Sequence, residues 1–266
     1  MPFARAIPIQ LTAQDHSACL ANRTPYGDAM GRAIFRIERH ERATVVPAFL
    51  TLVCLMAGHA LLETARDTLF LQNLPVAHLP WVYLAIAVLA LGVSLFDWGD
   101  PGPIGLLAWC LLSSGVTLGL WWLTATPKAW VLYAVYIWSG FFISMGMVQF
   151  WLMTSRLFVV HQAKRVYGFI GAGSVVGALI GYGLATALAE ALPIRVLLIA
   201  AAVSFAAAGL TAWKIPRTRP ESFPPRPRLA PLNALRKMFR EPYLSRLGGL
   251  VVAGSVVFTL VDFIFK

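Results

Sequence analysis

The chain has 266 residues, 58% of them hydrophobic and only 13% charged, with a mean hydropathy of +0.70 and a formal net charge of +10. A soluble domain of this length carries about a quarter charged residues, and here the apolar residues gather into blocks of about 20, the length that crosses a bilayer. These totals exclude a soluble globular class, and the basic balance reads as the positive-inside asymmetry of a membrane protein rather than as a nucleic-acid surface.

Residues 1–42 are polar and arginine-dotted, with Arg5, Arg23, Arg32, Arg36, Arg39 and Arg42 and no apolar core of the signal-peptide kind. They read as a basic cytoplasmic tail, in which Asp28 to Arg42 can form a short helix on the membrane surface. Residues 43–213 read as a six-helix transmembrane bundle. The first apolar run covers about 43–62 and ends in L-L-E-T-A-R-D-T-L, and the second covers about 79–96, with Trp81 and Tyr83 as interfacial anchors. A D-W-G-D-P-G-P turn over 97–103 leads to runs at about 104–123, 129–153, 166–188 and 196–213. The fourth carries Ser139, Ser144 and Gln149 in its interior. Residues 214–242 form a proline- and arginine-rich cytoplasmic linker, with six prolines from Lys214 to Pro231, and a short polar helix over 233–240. Residues 243–266 hold a seventh transmembrane helix, whose apolar run at about 247–265 contains Asp262.

With the N-terminus cytoplasmic, 18 of the 22 Lys and Arg residues fall on the inside and four (Arg66, Lys128, Arg195 and Lys266) on the outside. The fold class is therefore an all-α integral membrane protein, and six helices, a long basic linker and a further helix are the layout of half a twelve-helix transporter. The seventh helix then starts a second half, so the chain is expected to be a fragment, a truncated gene product or the ordered part of something longer.

Four stretches can carry chemistry. Glu63, Arg66 and Asp67 lie within about one helical turn, and charges near membrane depth are costly unless paired or facing water. Arg156, Gln162, Lys164 and Arg165 gather between the fourth and fifth runs, where cations oppose the helix dipole and suit an anion contact or a gate. Gly173, Gly177 and Gly181, spaced by four, form a stripe for close helix contact. Asp262 is a carboxylate in an apolar run. His59, His78 and His161 are isolated and read as structural. Cys19, Cys54 and Cys110 are scattered and no C-x-x-C or H-E-x-x-H pattern occurs, so the sequence calls for no metal, no cofactor and no catalysis.

Three of these stretches resemble the ATP:ADP antiporter-type nucleotide transporters, a family of the major facilitator kind. Gln162 to Gly171 (Q-A-K-R-V-Y-G-F-I-G) is similar to that family's E-A-K-R-F-Y-P-L-F-G. Leu61 to Leu69 is similar to its I-L-R-D-T-K-D-V-L, and Leu260 to Lys266 (L-V-D-F-I-F-K) to its L-V-E-V-T-W-K. Glu63 stands where the motif has arginine, Arg66 where it has lysine and Gln162 where it has glutamate. The resemblance implies a secondary-active transporter in a bacterial inner membrane, exchanging nucleotides such as ATP and ADP or moving another organic anion. It makes Arg66, Lys164, Arg165 and Asp262 candidates for substrate-binding or coupling contacts, while the charge pattern itself suits Glu63, Asp67, Arg156 and Gln162 to a gating or charge cluster. The implied partners are the lipid bilayer, a small anionic substrate and a C-terminal half of the transporter, with no nucleic acid. The alternative is a non-transporting anchor or sensor module derived from such a transporter.

Overall fold

The computed structural model describes residues 41–94, 102–126, 128–158, 160–216 and 240–264, and among these it leaves aside the side chains of Ser94, Val160, His161, Lys164, Arg165 and Phe258. The surface helix expected within 28–42, most of the 97–103 turn, the linker beyond residue 216 and the short helix at 233–240 lie outside the described residues. The chain divides into two units, 1–42 and 43–266. The second unit carries the helices α1 (Arg42–Asn73), α2 (Leu79–Ser94), α3 (Pro103–Leu123), α4 (Ala129–Thr154), α5 (Val160–Ala191), α6 (Val196–Trp213) and α7 (Pro242–Ile264). Six of them, and α2 together with the 3-10 turn Val76–His78 that leads into it, are long and apolar enough to cross a membrane, seven spans among the described residues. The protein is an all-α membrane protein with a six-helix bundle and a seventh transmembrane helix.

Three helices are longer than their apolar runs. α1 continues past the charges at 63–67 to Asn73, 32 residues in all and so about 48 Å long. The apolar pattern breaks at Glu63, but Ala65, Leu69 and Phe70 beyond it are buried, so the packing face runs on. The helix stops where Asn73 Nδ2 caps the Leu69 carbonyl and Pro75 follows. The cluster is therefore interior to the helix rather than at its end. α5 begins at Val160, six residues before its apolar run, and α7 begins at Pro242.

The core sits where α1, α3, α4 and α6 meet: Leu61, Leu62 and Leu69 of α1 pack with Leu120, Val135, Phe142, Leu198 and Phe205. In lipid, helix association rests on close packing and interhelical hydrogen bonds rather than on burial from water, and both occur here. Ser114 donates to the Ala202 carbonyl at 2.8 Å, joining α3 to α6, and Thr51 bonds Thr211 at 3.0 Å, joining α1 to α6. Arg195 donates to the Trp121 carbonyl and the Thr124 hydroxyl, closing the end of α3.

The glycine stripe of α5 lies against the backbone of α1. A Cβ on Gly173 would sit 3.0 Å from the Phe49 carbonyl oxygen and one on Gly181 2.6 Å from that of Ala57, while one on Gly177 would meet the Val53 oxygen. Only hydrogen fits in that gap. By contrast α7 is exposed along its length, with Asp262 half-buried.

Candidate functional site

Residues three and four apart share a helix face, so Arg66 folds back onto its own helix. Its Nη2 donates to Glu63 Oε1 at 3.1 Å and its Nε to Asp67 Oδ1 at 3.2 Å. The third edge of the guanidinium reaches across to α4, where Nη1 donates to Ser139 Oγ at 2.9 Å. Ser139 donates its own proton to the Tyr136 carbonyl, which leaves a lone pair for the arginine. The Tyr136 ring covers the guanidinium face, 4.5 Å from Cζ. Arg66 is only 7% exposed, and a planar fork with five donors is what satisfies so many directions at once. A charge this deep is tolerable only when paired and hydrogen-bonded.

The second oxygen of Glu63 faces α5. Tyr182 donates to Glu63 Oε2 at 2.6 Å, and His59 Nε2 lies 3.8 Å from the same oxygen. The other ring nitrogen, His59 Nδ1, is buried and has no hydrogen-bond partner among the described residues. Tyr182 is brought there by its neighbour Gly181, whose missing side chain lets α5 lie on α1. Beside the pair an open groove of about 500 Å³ is lined by Thr64, Tyr182, Thr186 and Glu190.

On the far side of Arg66 the network continues through phenols. The Tyr136 and Tyr83 hydroxyls lie 3.3 Å apart, and Tyr83 donates to Asp262 Oδ2 at 2.5 Å. This carries the network from α4 through α2 to α7. Among the described residues, the connected groups named here hold three carboxylates and one guanidinium.

The expected site residues thus divide. Glu63, Arg66, Asp67 and Asp262 come together, the last through Tyr83 and Tyr136. Arg156 follows the end of α4, 17 residues and about 25 Å along from Ser139. Gln162 lies half-buried in the first turn of α5. Lys164 and Arg165 belong to the same turns, about 27 Å along α5 from Tyr182, and their side chains are outside those described. The helices therefore hold these groups most of a bilayer thickness from Arg66.

Four contributors escape sequence reasoning. Tyr83 resembles an interfacial anchor but its hydroxyl reaches Asp262. Tyr136 and Tyr182 lie in apolar runs without a marker. His59 reads as structural, yet it sits one helical turn from Glu63, with its Nε2 3.8 Å from Glu63 Oε2. The spacing of His59, Glu63, Arg66 and Asp67 along one face is a signal that could have included it.

Compared with known proteins, residues 98–265 match the family model described as Major Facilitator Superfamily. No curated protein and no solved structure matches the chain.

Proposed function

Because the chain belongs to the Major Facilitator Superfamily, a family whose model covers more than half of it, we propose that it is a secondary-active transporter of a small organic anion, with nucleotides such as ADP and ATP as the class its motifs resemble. The observation that carries the anion reading is Arg66: a buried guanidinium held by Glu63, Asp67 and Ser139 at the meeting of α1 and α4. Its two carboxylate partners occupy the places that substrate oxygens would take. An entering phosphate or carboxylate competes with them for the same fork, and bidentate geometry makes the exchange possible. Lys164 and Arg165 are the cations at the opposite end of α5, and Arg156 and Gln162 complete that end.

The excess of positive charge on the linker and the tail supports a cytoplasmic N-terminus, with the Arg66 cluster toward the outer side of a bacterial inner membrane. The exposed face of α7 with its carboxylate supports further helices there, which complete a second half around the site. A plain anchor has no use for this cluster, since an anchor needs only apolar helices and internal charges cost stability.

The test is counterflow: liposomes carrying the protein, loaded with ADP, are offered labelled ATP. Saturable uptake that requires internal ADP supports the reading, and Lys164→Ala then cuts that uptake without unfolding the protein. Absence of uptake by folded, inserted protein overturns the nucleotide assignment, and the same assay with a panel of other organic anions decides the wider class.

A further inference from the structure

We propose that the groove between α1 and α5 is a subsite for a protonated amine, and that the transported organic anion also carries an ammonium group. The subsite stands on the geometry of the groove. Its consequence for the substrate rests on the anion reading of Arg66 above, and the two are tested separately.

The groove, about 500 Å³, is lined by Thr64 of α1 and by Tyr182, Ala185, Thr186, Ala189 and Glu190 of α5. Tyr182, Thr186 and Glu190 are spaced by four, so they form one row along α5. What the row offers a ligand follows from where its protons go. Thr64 donates to the Ala60 carbonyl at 2.9 Å and Thr186 to the Tyr182 carbonyl at 3.0 Å, each within its own helix. Tyr182 donates to Glu63 at 2.6 Å. A hydroxyl whose proton is spent keeps only lone pairs for a ligand, and an ionised carboxylate has nothing else. The backbone amides along both helices are taken up by the helices themselves. The polar lining therefore presents acceptors: three hydroxyl oxygens and the Glu190 carboxylate. An anion finds no donor there, whereas a positive group with several N–H bonds finds partners along the row.

The placement of Glu190 is an independent observation. It sits one residue before the end of α5, whose last turn holds no basic residue. A helix C-terminus carries partial negative charge, which favours a cation and opposes a carboxylate. Among the described residues the Glu190 side chain makes no ion pair and no hydrogen bond. Arg195, five residues on, is turned instead to the Trp121 carbonyl and the Thr124 hydroxyl. A cation from outside the chain relieves the conflict.

The shape selects the kind of cation. A hard metal ion needs a close shell of about six oxygens. A groove this wide, with Ala185 and Ala189 between the acceptors, does not close one. An ammonium has three donors on one nitrogen, and its apolar stem suits the alanines. Glu190 lies eight residues beyond Tyr182, about 12 Å along α5. Tyr182 bonds Glu63, which bonds Arg66. A substrate using Arg66 for its acidic group and Glu190 for its amine thus holds its two charges about 12 Å apart.

Two measurements test this. Calorimetric titration of the protein in lipid nanodiscs with n-butylammonium chloride, with empty nanodiscs as the blank, is expected to show saturable binding. Glu190→Gln, a change at an exposed side chain, is expected to keep the unfolding temperature and weaken that binding about tenfold or more, the worth of one charge-assisted hydrogen bond. No binding, or equal binding by Glu190→Gln, overturns the subsite. Sodium chloride that displaces n-butylammonium at equal concentration overturns the amine assignment in favour of a metal ion. In liposomes, ω-aminooctanoate is expected to compete with a transported anion about tenfold better than ω-hydroxyoctanoate, and Glu190→Gln to erase that preference while still transporting. Equal competition by the two overturns the zwitterionic substrate. If no organic anion is taken up, the transport reading falls while the titration still judges the groove.

Discussion

Replacing Gly181 by alanine tests the close contact that brings α5 to α1. The added Cβ would lie 2.6 Å from the Ala57 carbonyl oxygen, 2.7 Å from Ala60 Cβ and 2.9 Å from Ala57 Cα. Two of these three atoms are backbone and the third is an immobile methyl, so no rotamer relieves the clash. Restoring ordinary contact at 3.4 Å requires the helices to part by about 0.8 Å. Overpacking of this kind costs about 1–3 kcal/mol. Alanine also gains up to about 1 kcal/mol over glycine in a helix interior. Gly183→Ala, two residues on, serves as the control, because nothing lies within 4 Å of its Cβ position. The propensity gain is common to both variants and cancels in their difference, which isolates the overpacking. Thermal unfolding in lipid nanodiscs should therefore rank Gly183→Ala above Gly181→Ala by several degrees, at about 2–4 °C per kcal/mol for a chain of this size. Because Tyr182 is the next residue, Gly181→Ala should also loosen the Tyr182–Glu63 hydrogen bond and slow transport. Equal unfolding temperatures for the two variants would refute the reasoning.

Further outcomes follow from the site and from the interhelical bonds. Arg66→Ala removes the guanidinium that bonds both Glu63 and Asp67 and should cost about 3–5 kcal/mol. Arg66→Lys keeps the charge but cannot reach Glu63, Asp67 and Ser139 together, so its unfolding temperature should fall between those of wild type and alanine. A wild-type unfolding curve for Arg66→Ala would count against the cluster. Ser114→Ala removes the bond from α3 to the Ala202 carbonyl of α6 and should cost about 0.6 kcal/mol, whereas Ser144→Ala, whose hydroxyl bonds the Gly140 carbonyl of its own helix, should be near neutral in the same assay. Tyr83→Phe deletes the hydroxyl that bonds Asp262 and should change transport rate; unaltered kinetics would mean that the link from α2 to α7 is idle.

Much of this protein is written in its composition. Apolar blocks of bilayer length leave a backbone no choice but the helix, because every amide must find its partner within the segment. That fixes the all-α class and the seven spans. The spacing of Gly173, Gly177 and Gly181 likewise announces a close helix contact, because four-residue periodicity forms a stripe whatever the partner is. Helix ends are less legible. Apolar pattern stops at Glu63, but α1 runs on to Asn73, since paired charges interrupt hydropathy without interrupting hydrogen bonding along the helix. Sequence spacing is sufficient to bring Glu63, Arg66 and Asp67 together, for all three lie on one helix. It is silent on Ser139, Tyr136, Tyr182 and Tyr83, which come from three other helices, and on the path from Arg66 to Asp262. Those meetings depend on how the helices cross and rotate, which is set by many small packing contacts distributed over the chain. The tertiary structure alone decides that the paired arginine also reaches Ser139 and lies under the Tyr136 ring, and with that the terms on which an anion can bind.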